Sequence, residues 1–213
     1  LESNLLQTAR HYAENAHYQH TYNGKPYITE HLDKVVQTLR EHSINDQVIL
    51  SIAYLHDVIE DTPLNKDDIQ KVFGDVIATH VALLTDRPGK EREDRQMMTY
   101  IYLRDHPYAL VVKLADRLTN MRASFDTKYA LSYINEYKRF KTALYNPNYQ
   151  NQNLMYPITV VHGMFDLWVS LDFTYQKLFE HFTLNSDRYI NLAHKGIRPL
   201  HSDSNDEKIS RQY

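Results

Sequence analysis

The residue pair with the clearest chemical content is His56-Asp57, which closes an apolar run that begins at Asp46 and continues through Val48, Ile49, Ile52, Ala53 and Leu55. An imidazole and a carboxylate at the end of a buried helix must be paired or hold a cation, because an unpartnered buried charge is expensive. Imidazole nitrogen with carboxylate oxygen suits a divalent metal such as Mn, Fe, Co or Zn. Adjacent helical positions point about 100° apart, so other segments must complete the shell. His31, at the start of an amphipathic stretch, and Asp116, a lone carboxylate in an apolar helical segment, are the candidates. A set of this kind spread over three helices leaves positions for water and substrate. Plainer readings stand beside it: a His-Asp pair arises readily by chance, and Asp116 suits a surface pairing with Lys113 or Arg117.

The elements that must carry these side chains are helical. Leu5, Leu6, Ala9, Tyr12, Ala13 and Ala16 make one three-and-four-spaced face, with Ser3 as its N-cap. Residues 22–28 contain Asn-Gly and Pro and predict a loop. A helix starts at Thr29 and carries Leu32, Val35, Val36 and Leu39. The helix from Asp46 is apolar nearly all round, which predicts the buried centre of the domain. Thr62-Pro63 breaks the chain after it; Asn65 to Asp68 cap a short helix closed by Gly74, and a further helix spans 76–84. A charged loop at 86–90 precedes helical patterns over 92–104, 109–121 and 134–144. A polar linker at 148–153 then leads to an apolar helical pattern over 158–182 around Trp168. The fold class is all-α: a helical bundle over 1–146, a C-terminal helical extension over 147–193 packed on it, and a polar tail over 194–213 expected to be disordered.

Composition narrows the function classes. A chain of 213 residues suits one domain of ordinary size. The net charge of −3 carries no basic footprint for a nucleic-acid polymer, yet leaves room for a phosphate-bearing small ligand. With no cysteine, disulfide and thiolate chemistry are excluded, which fits a reducing, cytoplasmic setting. No apolar run reaches the ~20 residues of a membrane span, and residues 1–10 lack the pattern of a signal peptide. Only 5 glycines favour helices over a many-turned β fold.

Three blocks in order sharpen the reading: Gly24-Lys25-Pro26-Tyr27-Ile28-Thr29-Glu30-His31, Leu55-His56-Asp57-Val58-Ile59-Glu60-Asp61-Thr62, and Lys113-Leu114-Ala115-Asp116-Arg117-Leu118-Thr119-Asn120-Met121-Arg122. Together they resemble the HD hydrolase domain of RelA/SpoT-type alarmone enzymes, especially the small stand-alone hydrolases. The resemblance covers residues 5–144. It implies an all-helical HD bundle that binds Mn and removes the 3′-pyrophosphate from guanosine tetra- or pentaphosphate. His31, His56, Asp57 and Asp116 match the family's metal ligands, and Glu60 and Asp61 its water-activating acidic pair. Asn120 matches a position near the nucleotide sugar, and Arg117 a structural or phosphate-facing one. Lys90, Arg92 and Arg95 lie where the family places basic residues around the pyrophosphate. The chemistry is coherent, since a metal lowers the pKa of its water and a nearby carboxylate accepts the proton. The plain alternatives are a solvated charged loop for the basic residues and an acidic helix end for Glu60-Asp61, the latter opposed by the helix dipole.

The sequence departs from that family at one wall. Thr21 and Tyr22 stand where an Arg-Lys pair contacts guanine, and Thr119 replaces a His. Tyr22 offers a ring on which a base can stack. The leading expectation is therefore a metal-dependent alarmone pyrophosphohydrolase with a nucleotide substrate. A different nucleotide or a phosphomonoester is the second reading, and a non-catalytic nucleotide-binding regulatory module the third. A homodimer is the remaining expectation for partners, with Trp168, Phe173 and Tyr175 as contacts if the extension does more than pack.

Overall fold

The computed structural model describes residues 4–22, 24–86, 91–152 and 156–185, with the side chains of 92 and 150–152 excepted. Ser3, Lys90 and the polar tail therefore lie outside the described residues.

Helix α1 (Asn4–Ala16) lays Leu6, Ala9 and Ala13 against α3 (Gln47–Leu55). Asp46 starts α3 as its N-cap, accepting the backbone N–H groups of Val48 at 2.9 Å and Ile49 at 3.1 Å. Every α3 residue from Ile49 to Leu55 is buried, as its all-round apolar pattern requires. The helix ends at Leu55, and a single further turn, α4 (Val58–Asp61), follows Asp57, whose φ of −98° and ψ of −3° approach the sparsely used bridge region. Between α1 and α3, residues expected as loop instead include a minimal antiparallel hairpin. Its strands, β1 (Thr21–Tyr22) and β2 (Lys25–Pro26), pair Thr21 with Pro26 and Tyr22 with Lys25. Gly24 makes the reversal possible at φ 75°, a conformation that costs other residues. A π-helical turn at Ile28–Leu32 then enters α2 (Asp33–Glu41).

Helix α5 (Lys66–Leu84) starts on a capping box between Asn65 and Asp68 and breaks at Gly74, where φ is 80° and ψ 170°. The chain continues through α6 (Arg92–Leu103), α7 (Pro107–Ala123), α8 (Ala130–Leu144), a 3₁₀ turn (Pro147–Gln152) and α9 (Ile158–Leu184). The architecture is all-α with one two-stranded ribbon among the described residues. Helix α7 shares the centre with α3: its residues 109–112 and 114–121 are all buried, and it meets α2, α3, α5, α6, α8 and α9.

Position α9 follows from its composition and from Gly163. The apolar pattern over 158–182 forms one continuous helix, with Val160, Met164, Leu167, Trp168 and Leu171 in the main core. The Trp168 ring packs 5.8 Å from Phe140 and 5.6 Å from Tyr145, centroid to centroid. Thus Trp168 is core, Tyr175 stacks on Tyr137 at 4.6 Å, and Phe173 remains 64% exposed. Among the described residues, no helix is long and apolar enough to cross a membrane.

Candidate metal centre

Four elements converge on one point. His31 comes from the π-helical turn, His56 from the C-cap of α3, Asp57 from the corner before α4, and Asp116 from the middle of α7. The wider π turn is a frequent local device at functional sites, and here it carries a histidine with no solvent exposure. The Nε2 atoms of His31 and His56 lie 3.4 Å apart. Asp116 Oδ1 is 3.4 Å from His31 Nε2 and 3.8 Å from His56 Nε2. Asp57 Oδ2 is 3.0 Å from His56 Nε2 and 3.5 Å from His31 Nε2.

The donor set fits a divalent cation. One ligand atom each from His31, His56 and Asp116 falls within 4.8 Å of the others, with Asp57 Oδ2 against both imidazoles. His56 Nδ1 lies 2.7 Å from the Ala53 carbonyl, which only accepts, so Nδ1 carries a proton and Nε2 is the atom left for the centre. Burial alone would lower the His56 pKa, but Asp57 and Asp116 overcome it and hold the ring protonated above its ordinary range. Burial likewise works against the charge on both aspartates, yet His56 and His31, and Lys113 at Asp116, keep both well below the usual carboxylate range. The cluster thus sets two imidazoles against two carboxylates whose negative charge a divalent cation would neutralise directly.

A ring of polar neighbours fixes the ligands. Tyr27 donates its hydroxyl to Asp57 Oδ2, and its ring packs 4.9 Å from His17 and 5.0 Å from His31. Burial, then the charge of Asp57, raises the Tyr27 pKa, so the hydroxyl stays a donor. Lys113, one turn before Asp116, places Nζ 3.5 Å from Asp116 Oδ2. Asn120, one turn after it, donates from Nδ2 to Asp116 Oδ1 at 2.6 Å. Neither Tyr27 nor Lys113 was expected among site residues. Both lie within the blocks that carry the resemblance, where the pairing of Lys113 with Asp116 reads as a surface contact; spacing adds that Tyr27 lies four residues before His31 and Lys113 three before Asp116.

Glu60 stands on α4, three residues after Asp57, with solvent reaching part of its side chain. Partial burial of its carboxyl, with Asp57 and Asp86 adding and Lys113 opposing, pushes it up to about 7. Asp61 is half-buried beside it, its backbone N–H bonded to the Asp57 carbonyl at 2.9 Å.

The expected substrate contacts divide. Asn120 stands at the centre. Tyr22 does too, but turned inward: it is 8% exposed, stacks on His31 at 5.5 Å and 14°, and donates its hydroxyl to Asn120 Oδ1 at 3.0 Å. Burial and Asp116 raise the Tyr22 pKa to about 12, so this group also stays a donor. Arg117 is not brought to the cluster. Its guanidinium bonds Glu136 at 3.1 Å and Tyr100 at 3.3 Å and lies 4.7 Å from the Phe140 ring centre, so it ties α7 to α6 and α8. One helical step separates it from Asp116, and about 100° of rotation turns it to the face packed on α6 and α8. Arg95 is half-buried on α6, while Lys90 and the Arg92 side chain fall outside the described residues. Thr119 is buried with its hydroxyl 3.0 Å from that of Thr38, so this departure from the family serves α2–α7 packing.

Known proteins resemble this chain in sequence and in fold. The family model described as HD domain matches residues 9–147. The guanosine-3′,5′-bis(diphosphate) 3′-pyrophosphohydrolase MESH1 of Danio rerio is 35% identical over 123 residues, covering 55% of this chain and 67% of the relative. The Homo sapiens protein of the same name is 35% identical over 102 residues, covering 46% and 56%. The bifunctional (p)ppGpp synthase/hydrolase SpoT of Escherichia coli is 33% identical over 126 residues, covering 55% and 18%. The chain thus matches about half to two thirds of the length of the MESH1 relatives. A solved structure titled as a metazoan ortholog of SpoT that hydrolyzes ppGpp superposes with a TM-score of 0.57 at 24% identity, covering 84% of this chain and 96% of that one, a likeness of fold. With the HD model matching well over half of the sequence and the His-Asp pair at the heart of the cluster, the chain belongs to the HD domain family.

Proposed function

We propose that this chain is a divalent-metal-dependent pyrophosphohydrolase that removes the 3′-pyrophosphate of guanosine tetra- or pentaphosphate, with Mn as its metal and the cytoplasm as its setting. The observation that carries the reading is the convergence of His31, His56, Asp57 and Asp116, with Glu60 close enough to feel the charges of Asp57 and Lys113. The activities for which the relatives are named support the substrate class. A metal bound by the four ligands would polarise the phosphoryl group and acidify a water.

The chain's own residues then have distinct tasks. Tyr27, Lys113 and Asn120 hold the two aspartates in place. Glu60, with a proton affinity near neutrality, takes the proton of the attacking water, and Asp61 helps orient that water. Lys90, Arg92 and Arg95 supply positive charge from the segment that follows α5, where they would stabilise negative charge on the pyrophosphoryl group as its bond to the ribose 3′-oxygen breaks and its bond to the water oxygen forms. The proton taken by Glu60 returns to that 3′-oxygen. Residues 1–146 form the catalytic unit in this reading, and α9 within 147–193 is a buttress against α7.

A second reading, the same chemistry on a different nucleotide, is favoured by one observation: the Arg-Lys wall for guanine is replaced by Thr21 and by an inward-facing Tyr22. Metal-reconstituted protein incubated with guanosine tetraphosphate, its adenosine analogue, cyclic nucleotides and phosphomonoesters separates the two. Release of pyrophosphate from the guanosine substrate supports the first reading. Turnover of another nucleotide alone transfers support to the second. Asp57→Ala is expected to lose both bound Mn and turnover, and a fully active Asp57→Ala protein would end the ligand assignment.

A further inference from the structure

Resting on the metal-centre reading above, we propose that Tyr22 is a positioning residue for the metal ligands, holding His31 with its ring and Asp116 through Asn120, and is not a platform for a substrate base. Three observations converge on it. The ring lies nearly parallel to the His31 imidazole, 14° between planes and 5.5 Å between centres. Its hydroxyl reaches Asn120 Oδ1 at 3.0 Å. The same amide continues from Nδ2 to Asp116 Oδ1 at 2.6 Å.

The hydrogen-bond directions leave one consistent arrangement. A carboxylate only accepts, so Asn120 must turn its NH₂ to Asp116, and its carbonyl oxygen then faces the Tyr22 hydroxyl, which must donate. The chain of donors runs from Tyr22 through Asn120 to Asp116, each bond polarising the next. Hydroxyl and ring therefore act on two different ligands from one side chain. That side chain stands on β1, a strand remote in sequence from α7 and separated from the π turn by the hairpin. Burial to 8% leaves little ring face for a nucleotide base. Asn120 is likewise engaged through both its amide atoms, which draws it from the sugar toward the metal ligand.

The test compares parent, Tyr22→Phe, Tyr22→Leu, Asn120→Ala and the Tyr22→Phe/Asn120→Ala double variant. Free Mn²⁺ is followed by electron paramagnetic resonance during titration of metal-free protein, and Co²⁺-loaded protein is read by its visible absorption. Tyr22→Phe keeps the ring and removes one oxygen, so the hairpin is retained, with circular dichroism and thermal melting as the check. Its Mn²⁺ affinity is expected to fall roughly tenfold, the lower end of what loss of a ligand's supporting hydrogen bond produces, with a changed Co²⁺ spectrum. Tyr22→Leu, which also removes the stack, falls further. The double variant binds no more weakly than Asn120→Ala alone, because both changes cut one chain. For turnover, kcat drops while KM for the nucleotide holds. Parent-like Mn²⁺ affinity and spectrum in Tyr22→Phe, with the loss confined to KM, would overturn the inference while leaving the metal centre standing. Equal Mn²⁺ binding by parent and Asp57→Ala would overturn the centre itself, and this inference with it.

Discussion

Glu60 illustrates how a single carboxyl acquires a task from its surroundings. Its ordinary pKa of 4.5 is pushed up to about 7, where a group can both hold and release a proton at physiological pH. Glu60→Gln keeps the shape and removes the base, so kcat is expected to fall by roughly 100- to 10,000-fold while Mn²⁺ affinity stays near parent; titration of metal alongside turnover checks both. In the proposed role the proton of water goes to ionised Glu60, so the parent rate is expected to decline on the acid side. A cation held by the neighbouring ligands would set that limb below pH 7, since added positive charge favours the carboxylate. A pH–rate profile of Glu60→Gln should lack the limb. For the metal-free fold the sign is opposite. The raised pKa contributes stability that is fully present below about 4.5 and lost as pH rises through about 7. Melting temperatures of parent and Glu60→Gln, compared across that window, should diverge in that direction, with the parent losing more.

At the scale of elements, the centre depends on three helices meeting at fixed angles. Arg10 on α1 clasps Asp33 on α2 through two bonds of 2.9 and 2.8 Å, and Tyr54 on α3 donates to the same carboxylate at 3.0 Å. Asp33 begins the helix that follows His31, and Tyr54 lies two residues before His56, so this knot sets the approach of both histidines. Both partners of the ion pair are about one third exposed, which screens it. Asp33→Ala is expected to destabilise the protein by about 1–2 kcal/mol, mainly through lost hydrogen bonds. Chemical denaturation measures that, and Mn²⁺ titration should show weaker binding as the helices loosen. Asp46→Ala, which removes the α3 cap, should destabilise by about 1 kcal/mol with less effect on metal binding, because it acts at the far end of the helix.

For the molecule as a whole, α9 closes the bundle behind α7. The contact is tight at Gly163, where an added Cβ would lie 2.6 Å from the His42 carbonyl oxygen and 2.5 Å from Ile44 Cγ1. A backbone oxygen cannot turn aside as a flexible side chain can. Gly163→Ala is therefore expected to destabilise by about 1–3 kcal/mol despite the better helix propensity of alanine, and a thermal melt should show the drop. His42 Nε2 and Ser170 Oγ, 2.8 Å apart, add a polar tie across the same seam. If α9 were an independent appendage, Gly163→Ala would leave the melting temperature unchanged.

Much of this architecture is legible in the sequence because helices announce themselves locally. Three-and-four spacing marks α1, α2 and α8, the Asn65–Asp68 box marks α5, and Gly74 marks its break. The family resemblance carried the four candidate metal ligands, which the fold brings together from three separate stretches of chain. The π turn before α2 and the two-residue hairpin left no such mark, since each is too short to generate a period. Arg117 and Asp116 are neighbours in sequence, but the 100° step between helical positions sends one to α8 and the other to the metal ligands. Tyr22 is the sharpest case. Its residue type suggests a stacking surface, yet whether a ring stacks on a ligand or on a protein histidine depends on what stands opposite it. Sequence by itself determined which helices form and which residue types can hold a cation. Only the tertiary structure decided which way Tyr22, Asn120 and Arg117 face, because facing is a property of packed pairs distant along the chain.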